Sequence, residues 1–356
     1  MTGRTGRART ATATEALRCL PARRVLRRGG LAAVVALAAA VAIGTCAPRL
    51  QPPGAGRVSP HLLEDRFVAA DGVELPLRRW MPEDPPKAVI LALHGFNDYS
   101  DAFLDPGRYW AERGIAAYAF DQRGFGEAPH RGLWPGTEAL IADLREVSLA
   151  LRRRHPQTPL FLLGDSMGGA VVLIAMAAEP PPVDGVILVA PAVWARHTMN
   201  PIQRGALWLA AHTVPWLKVS GRGLRIRASD NVEMLRALGE DPLVIKESRI
   251  DALYGLANLM DEAMESAPGL PVPALVLYGD NDEVIPAAPT HELLRRLPGA
   301  SAPRWRVAFY EKGFHMLLRD LQAEVVLEDI IAWIEDRQAA LPSQAEEHAA
   351  EALAAE

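Results

Sequence analysis

Residues 162–170 read LLGDSMGGA. An apolar run, PLFLL (159–163), ends at Gly164, and a second, AVVLIAM (170–176), starts two residues after Gly168. The first is short and unbroken, as in a strand buried on both faces; the second is long enough for a buried helix. Ser166 stands on the turn between them. A turn that sharp excludes bulky neighbours, which accounts for the glycines around it. It also lifts the serine hydroxyl above the sheet at a helix N-terminus, where the backbone N–H of Met167 can face a developing oxyanion. Gly164-Asp165-Ser166-Met167-Gly168 therefore identifies Ser166 as a candidate nucleophile. The alternative, a turn whose glycines serve geometry alone, does not call for a hydroxyl at its apex.

A serine needs a base, and the base an orienting carboxylate. Outward from the turn, AVILALHG (88–95), IAAYAFDQRG (115–124), DGVILVAP (184–191), PALVLYGD (273–280) and RWRVAFYE (304–311) read as further buried strands. RFVAADGVELPLRRW (66–80) reads as a hairpin about Asp71-Gly72. Between strands lie helical patterns; TEALIADLREVSLALRRRHP (137–156) places Leu140, Leu144, Val147 and Leu151 on one face. Alternating strands and helices predict a mostly parallel, eight-stranded sheet with helices on both faces. Of the histidines, His315 follows the last strand and comes after the serine. His94 belongs to another motif, His130 and His155 precede the serine, and His291 falls in a helical pattern. His197 and His212 fall in a stretch without buried strands. Three acids, Asp280, Asp282 and Glu283, crowd the loop after 273–279 and all remain candidates on the residues alone.

The motifs LHGFNDYS, DQRGFG, GDSMGGA, YGDNDEVIP and GFHMLLRD occur in that order within about residues 65–336. They resemble the monoacylglycerol lipase and lysophospholipase branch of the α/β-hydrolases, often called serine aminopeptidase-like. The resemblance implies a catalytic Ser166–Asp282–His315 set. Gly279, Asp282, Val284 and Pro286 match the family's G-x-x-D-x-[VI]-x-P loop and so select Asp282. It further implies an oxyanion hole from the backbone N–H groups of Phe96 and Met167. Two positions depart from the branch: Asp165 replaces the usual histidine before the nucleophile, and Glu127 a frequent serine. Asp121 and Arg123 are expected to brace loops. The implied activity is hydrolysis of carboxylic esters of a monoacylglycerol or lysophospholipid. Amide or peptide hydrolysis and a non-catalytic binding protein on the same fold are the alternatives.

The 356 residues are 49% hydrophobic, enough for a large α/β domain. Two cysteines, Cys19 and Cys46, make no disulfide framework. Residues 1–30 carry eight arginines and one glutamate, a net of +7, so the remainder of a chain whose net charge is −5 carries −12. So acidic a domain argues against a nucleic-acid partner. No C-x-x-C, H-E-x-x-H or G-x-G-x-x-G is present, so no metal or organic cofactor is implied. The basic start, LAAVVALAAAVAI (31–43) and GTCAP form an export-signal pattern; the apolar run is shorter than the roughly 20 residues that span a bilayer. Cys46 resembles the acylated cysteine of bacterial lipoproteins, although Thr45 stands where Gly or Ala is usual. The expectation is an exported, membrane-associated enzyme held through its N-terminus, or a soluble periplasmic or secreted one. The organisation expected is a signal or anchor at 1–47, a linker at 48–64, and a core in two parts, 65–190 and 269–338. A helical cap is expected at 191–268 and a disordered tail at 339–356. Oligomeric state is not legible.

Overall fold

The computed structural model describes residues 47–221, 223, 226–298 and 305–354. The signal or anchor read at the N-terminus, with Cys46, lies outside them apart from Ala47. The described chain begins at one sheet edge with β1 (His61–Leu62), β2 (Arg66–Val68) and β3 (Glu74–Trp80). The doubly wound part follows: β4 (Ala88–Leu93), α1 (Leu104–Glu112), β5 (Ile115–Phe120), α2 (Thr137–Arg154), β6 (Leu160–Asp165), α3 (Met167–Ala178) and β7 (Gly185–Val189). An excursion holds α4 (Pro201–Thr213), β8 (Lys218–Val219), α5 (Val232–Glu240), β9 (Ser248–Arg249) and α6 (Ile250–Ser266). The chain then returns through β10 (Ala274–Gly279), α7 (Ala287–Arg296), β11 (Trp305–Tyr310), α8 (Ala323–Glu335) and α9 (Ala345–Ala354).

The main sheet has nine strands in the order β1-β2-β3-β5-β4-β6-β7-β10-β11. Pairings from β1 to β5 are antiparallel; all others are parallel. Pleating divides the apolar strands between two cores. Val89, Leu91 and Leu93 of β4 face the side covered by α2, α3 and α6, while Ala88, Ile90 and Ala92 face α1 and α8. Both faces being covered is why these strands are wholly apolar rather than alternating.

Three expectations change. The sheet gains a ninth strand because residues 48–64 are bound along the domain. Leu50 bridges Trp134, Arg57 and Val58 donate to Ala70 O, and His61–Leu62 pairs with β2. The stretch expected as a cap at 191–268 divides. Its last helix, α6, buries Ala257, Leu259, Met260, Ala263 and Met264 in the same cluster as α3 and belongs to the core layer. Within the tail expected to be disordered at 339–356, residues 345–354 form α9, which packs on β11. Its composition is poor in large apolar residues, but Ala345 and Ala349, four apart, make one buried face. Glu346 pairs with Arg306, and His348 with Asp280 at 2.6 Å.

Arg123 braces the loop after β5, as expected. Its guanidinium is bidentate to Asp143 of α2 (2.6 and 2.8 Å) and to Asp71 of the β2–β3 turn (2.7 and 3.0 Å). Burial pushes the Asp143 carboxyl up to about 6 against the pull of Arg123. Removing the guanidinium would strand a buried charge. Arg123→Met is therefore expected to lower unfolding stability by about 3–5 kcal/mol in urea titrations at pH 7.5. A loss below about 1 kcal/mol would show that the pair is dispensable.

Candidate active site

The turn joining β6 to α3 brings the nucleophile candidate to the C-terminal edge of the sheet. Ser166 has φ 50° and ψ −111°, a left-handed conformation that costs a non-glycine residue of order 1–3 kcal/mol. Ser166 N donates to Val189 O, and Ala192 N to Ser166 O, both at 2.9 Å, so the strand-end neighbours hold the strained residue. The glycines permit close approach. A Cβ on Gly164 would lie 2.5 Å from Gly169 N, and one on Gly168 would lie 2.2 Å from Leu93 O.

His315 lies in the loop after β11, 7% exposed. Its Nε2 is 2.9 Å from Ser166 Oγ and its Nδ1 2.8 Å from Asp282 Oδ2. Burial disfavours the imidazolium, but the Asp282 hydrogen bond and charge, joined by the charge of Asp165, outweigh it. They hold His315 above the ordinary histidine value. The other oxygen of Asp282 accepts from Val284 N (2.8 Å) and Ile285 N (2.9 Å), which fixes the carboxylate against rotation. The two competing acids point elsewhere: Asp280 is bonded to His348, and Glu283 accepts from Arg227 N at 2.7 Å. Ser166, His315 and Asp282 thus come together from three loops, and Asp280 and Glu283 do not join them.

Phe96 follows Gly95, which lies so close to the β6–α3 turn that a Cβ there would sit 3.3 Å from Ser166 Cβ. The Met167 N–H is the first in α3 and has no acceptor within the helix. The loop carrying Phe96 is held by His94, whose Nδ1 is 2.8 Å from Gly95 O. Its Nε2 accepts from Gln122 N at 3.0 Å, so Nδ1 carries the proton. Burial pulls His94 below the usual histidine value, and it stays neutral in this role. Asp121 accepts from Ser100 N (3.0 Å), Ser100 Oγ (2.5 Å) and Glu127 N (2.8 Å), which ties the loop after β5 to that after β4.

Several supporting residues escaped the sequence reading. Arg319 Nη2 is 2.6 Å from Asp98 Oδ2, joining the histidine loop to the Phe96 loop. Asp320 accepts from Phe314 N (2.7 Å) and from Ser229 Oγ (2.5 Å) of the excursion. Asn97, with φ 68°, donates to Ser248 Oγ (2.7 Å), and its carbonyl accepts from Ile245 N (2.9 Å). Asp98, Arg319 and Asp320 lie inside the quoted motifs, but their partners are distant in sequence, and only spacing from His94 and His315 could have drawn attention to them. Among the described residues, no group of three or more His, Cys, Asp or Glu is placed to hold a metal ion. Among the same residues, no helix is long and apolar enough to cross a membrane.

Known proteins share this framework. The monoacylglycerol lipase of Mycolicibacterium smegmatis is 26% identical over 282 residues, covering 78% of this chain and 98% of its own. The monoglyceride lipase of Rattus norvegicus is 27% identical over 284 residues, covering 78% of this chain and 90% of its own. In three dimensions the chain resembles a monoacylglycerol lipase from Paleococcus ferrophilus, with TM-score 0.62, 20% identity, and 73% and 98% of the two chains covered. It also resembles a soluble variant of the monoglyceride lipase of Saccharomyces cerevisiae, with TM-score 0.65, 17% identity, and 82% and 99% covered. These likenesses show the α/β-hydrolase fold. Residues 84–322, which include Ser166, Asp282 and His315, match the family described as serine aminopeptidase, S33, and the chain belongs to that family.

Proposed function

We propose that this carboxylic ester hydrolase cleaves the acyl ester of monoacylglycerols or lysophospholipids through Ser166, His315 and Asp282. The observation that carries the reading is the position of His315, within hydrogen-bond distance of both Ser166 Oγ (2.9 Å) and Asp282 (2.8 Å). Ser166 Oγ attacks the ester carbonyl while His315 Nε2 accepts its proton. Asp282 holds the ring in the tautomer that leaves Nε2 free and stabilises the imidazolium. The N–H groups of Phe96 and Met167 bind the oxyanion. Collapse of the tetrahedral intermediate expels the alcohol, which takes the proton from His315. Water, deprotonated by the same nitrogen, then releases the fatty acid from the acyl-enzyme.

Two features favour a lipid ester. The curated relatives above are monoacylglycerol and monoglyceride lipases. The excursion between β7 and β10 exposes Ile202, Trp208, Leu209, Trp216 and Leu217, each at least half accessible, an apolar surface suited to acyl chains. Export, with anchoring through Cys46 or an uncleaved apolar segment, is part of the proposal and rests on the sequence of residues 1–47. The intact mass of the native protein checks it: an N-terminal acylated Cys46 supports lipidation, and a full-length cytosolic chain rejects export.

Ser166→Ala and His315→Ala are each expected to abolish ester turnover with the fold retained, and the double variant to be no worse than either. Near-normal turnover in either single variant rejects the assignment. Asp282→Asn should reduce kcat by about 10²–10⁴-fold and Asp280→Asn by less than about threefold. The reverse order would move the acid to Asp280. The base must be neutral to act. Because His315 is held above 6.5, activity should already be falling as pH drops through values above 6.5. Hydrolysis of monoacylglycerols, lysophospholipids, short p-nitrophenyl esters and aminoacyl amides, compared by kcat/KM, tests the substrate class. A preference for the amides would replace the lipid-ester reading with a peptidase one.

A further inference from the structure

Gly95 O and Phe96 N belong to one peptide unit. That unit is planar, and in the trans form its C=O and N–H point in opposite directions. Whatever holds Gly95 O therefore also aims the Phe96 N–H. Two donors reach Gly95 O: His94 Nδ1 at 2.8 Å and Asp98 N at 3.3 Å. In a neutral imidazole only one nitrogen carries a proton. Gln122 N can only donate; it lies 3.0 Å from His94 Nε2 and so leaves the ring proton on Nδ1. Gln122 holds the same residue a second time, because its side-chain Nε2 donates to His94 O at 2.8 Å. His94 is 0% and Gln122 1% exposed, so water does not compete for these bonds. The sheet sets the two residues side by side. β5 runs parallel to β4 with Ala92 opposite Ala119, and the chains leave these strands at the same edge. Gln122 Oε1 is buried without a hydrogen-bond partner among the described residues. An unmet buried acceptor is a cost that a methionine of similar length would avoid while filling the same space.

We propose that Gln122 is a positioning residue for the oxyanion hole: by gripping His94 at its ring and at its carbonyl, it keeps Nδ1–H on Gly95 O and the Phe96 N–H turned towards the oxyanion formed at Ser166. The proposal rests on the Ser166–His315–Asp282 reading with Phe96 as an oxyanion donor, and adds the device that orients that donor. Without the His94 bond, Gly95 O keeps only the longer one from Asp98 N. The Gly95–Phe96 peptide can then rotate about its flanking single bonds, which glycine at 95 permits. A rotated peptide would present its carbonyl oxygen, not its N–H, to the developing negative charge. The cost falls on the transition state, because the N–H meets a full negative charge only there.

The test uses the full chain, a soluble short-chain ester and a trifluoromethyl ketone, whose carbonyl Ser166 attacks to give a stable tetrahedral oxyanion. Gln122→Met keeps the length of the side chain and the backbone N–H to His94 Nε2, and removes only the amide donor. Its kcat should fall about three- to tenfold, with KM within about twofold of wild type. Ketone affinity should fall by the same factor as kcat. The acidic limb of the kcat/KM profile, set by His315, should stay in place. His94→Phe removes both ring bonds and should lower kcat about 10²-fold. Adding Gln122→Met to it should cost less than about twofold more, because Gln122 acts through His94. Turnover is counted per Ser166 labelled to completion with a fluorophosphonate, so a partly folded preparation still reports. If Gln122→Met does not fold, Gln122→Asn, whose amide is too short to keep the bond, is expected to show the same loss in kcat. A Gln122 variant with wild-type kcat and ketone affinity overturns the role of Gln122 and leaves the triad standing. So does a loss undiminished in the His94→Phe background, or one that moves the acidic limb and so belongs to His315. Wild-type protein that fails to label at Ser166 overturns the triad reading itself.

Discussion

The site depends on one steric constraint, the close approach of three backbones at the turn after β6. Ser166 adopts a positive φ because strand and helix must meet there without an intervening loop. Gly164 touches Gly169, and Gly168 packs against the Leu93 carbonyl, so neither position has room for a side chain. The strain at Ser166 is offset by its bonds to Val189 and Ala192. The same contact with Leu93 fixes β4, and with it the His94–Gly95–Phe96 loop, beside Ser166.

Everything else at the sheet edge orients groups towards that serine. The loop after β10 presents Asp282, locked by two backbone N–H groups; the loop after β11 presents His315. Each loop is then tied to another. Arg319 joins the histidine loop to Asp98, Asp320 joins it to Ser229, and Asn97 joins the Phe96 loop to Ser248 and Ile245. The excursion between β7 and β10 is therefore bonded to both the Phe96 loop and the His315 loop. A change in its conformation would be felt at both.

Much of this was legible in the chain itself. Buried parallel strands must be apolar throughout, so PLFLL, AVILAL and PALVLYG stand out without knowledge of their neighbours. The glycine pattern around Ser166 follows from local sterics, and the order serine, acid, histidine is what the resemblance to the α/β-hydrolases implies. Composition misled where it stood in for packing. The Ala/Glu-rich tail looked too poor in large side chains to order, yet Ala345 and Ala349 fit against β11 because they are small. Residues 48–64 looked like a linker, yet backbone pairing, which composition does not report, binds them along the sheet edge. Helix α6 carries the same apolar pattern whether it caps a site or lines a core.

What the sequence determined by itself was therefore the parallel part of the sheet, the turn that carries Ser166 and the candidate base, each set by residues near one another in the chain. On the residues alone Asp280, Asp282 and Glu283 share a local pattern, and only the tertiary structure shows which partner each reaches: Asp282 lies 2.8 Å from His315 Nδ1, Asp280 pairs with His348 and Glu283 accepts from Arg227 N. It also decided that Asp98 meets Arg319 at 2.6 Å, a pair 221 residues apart in the chain. Such contacts depend on distance in space, which no local pattern encodes.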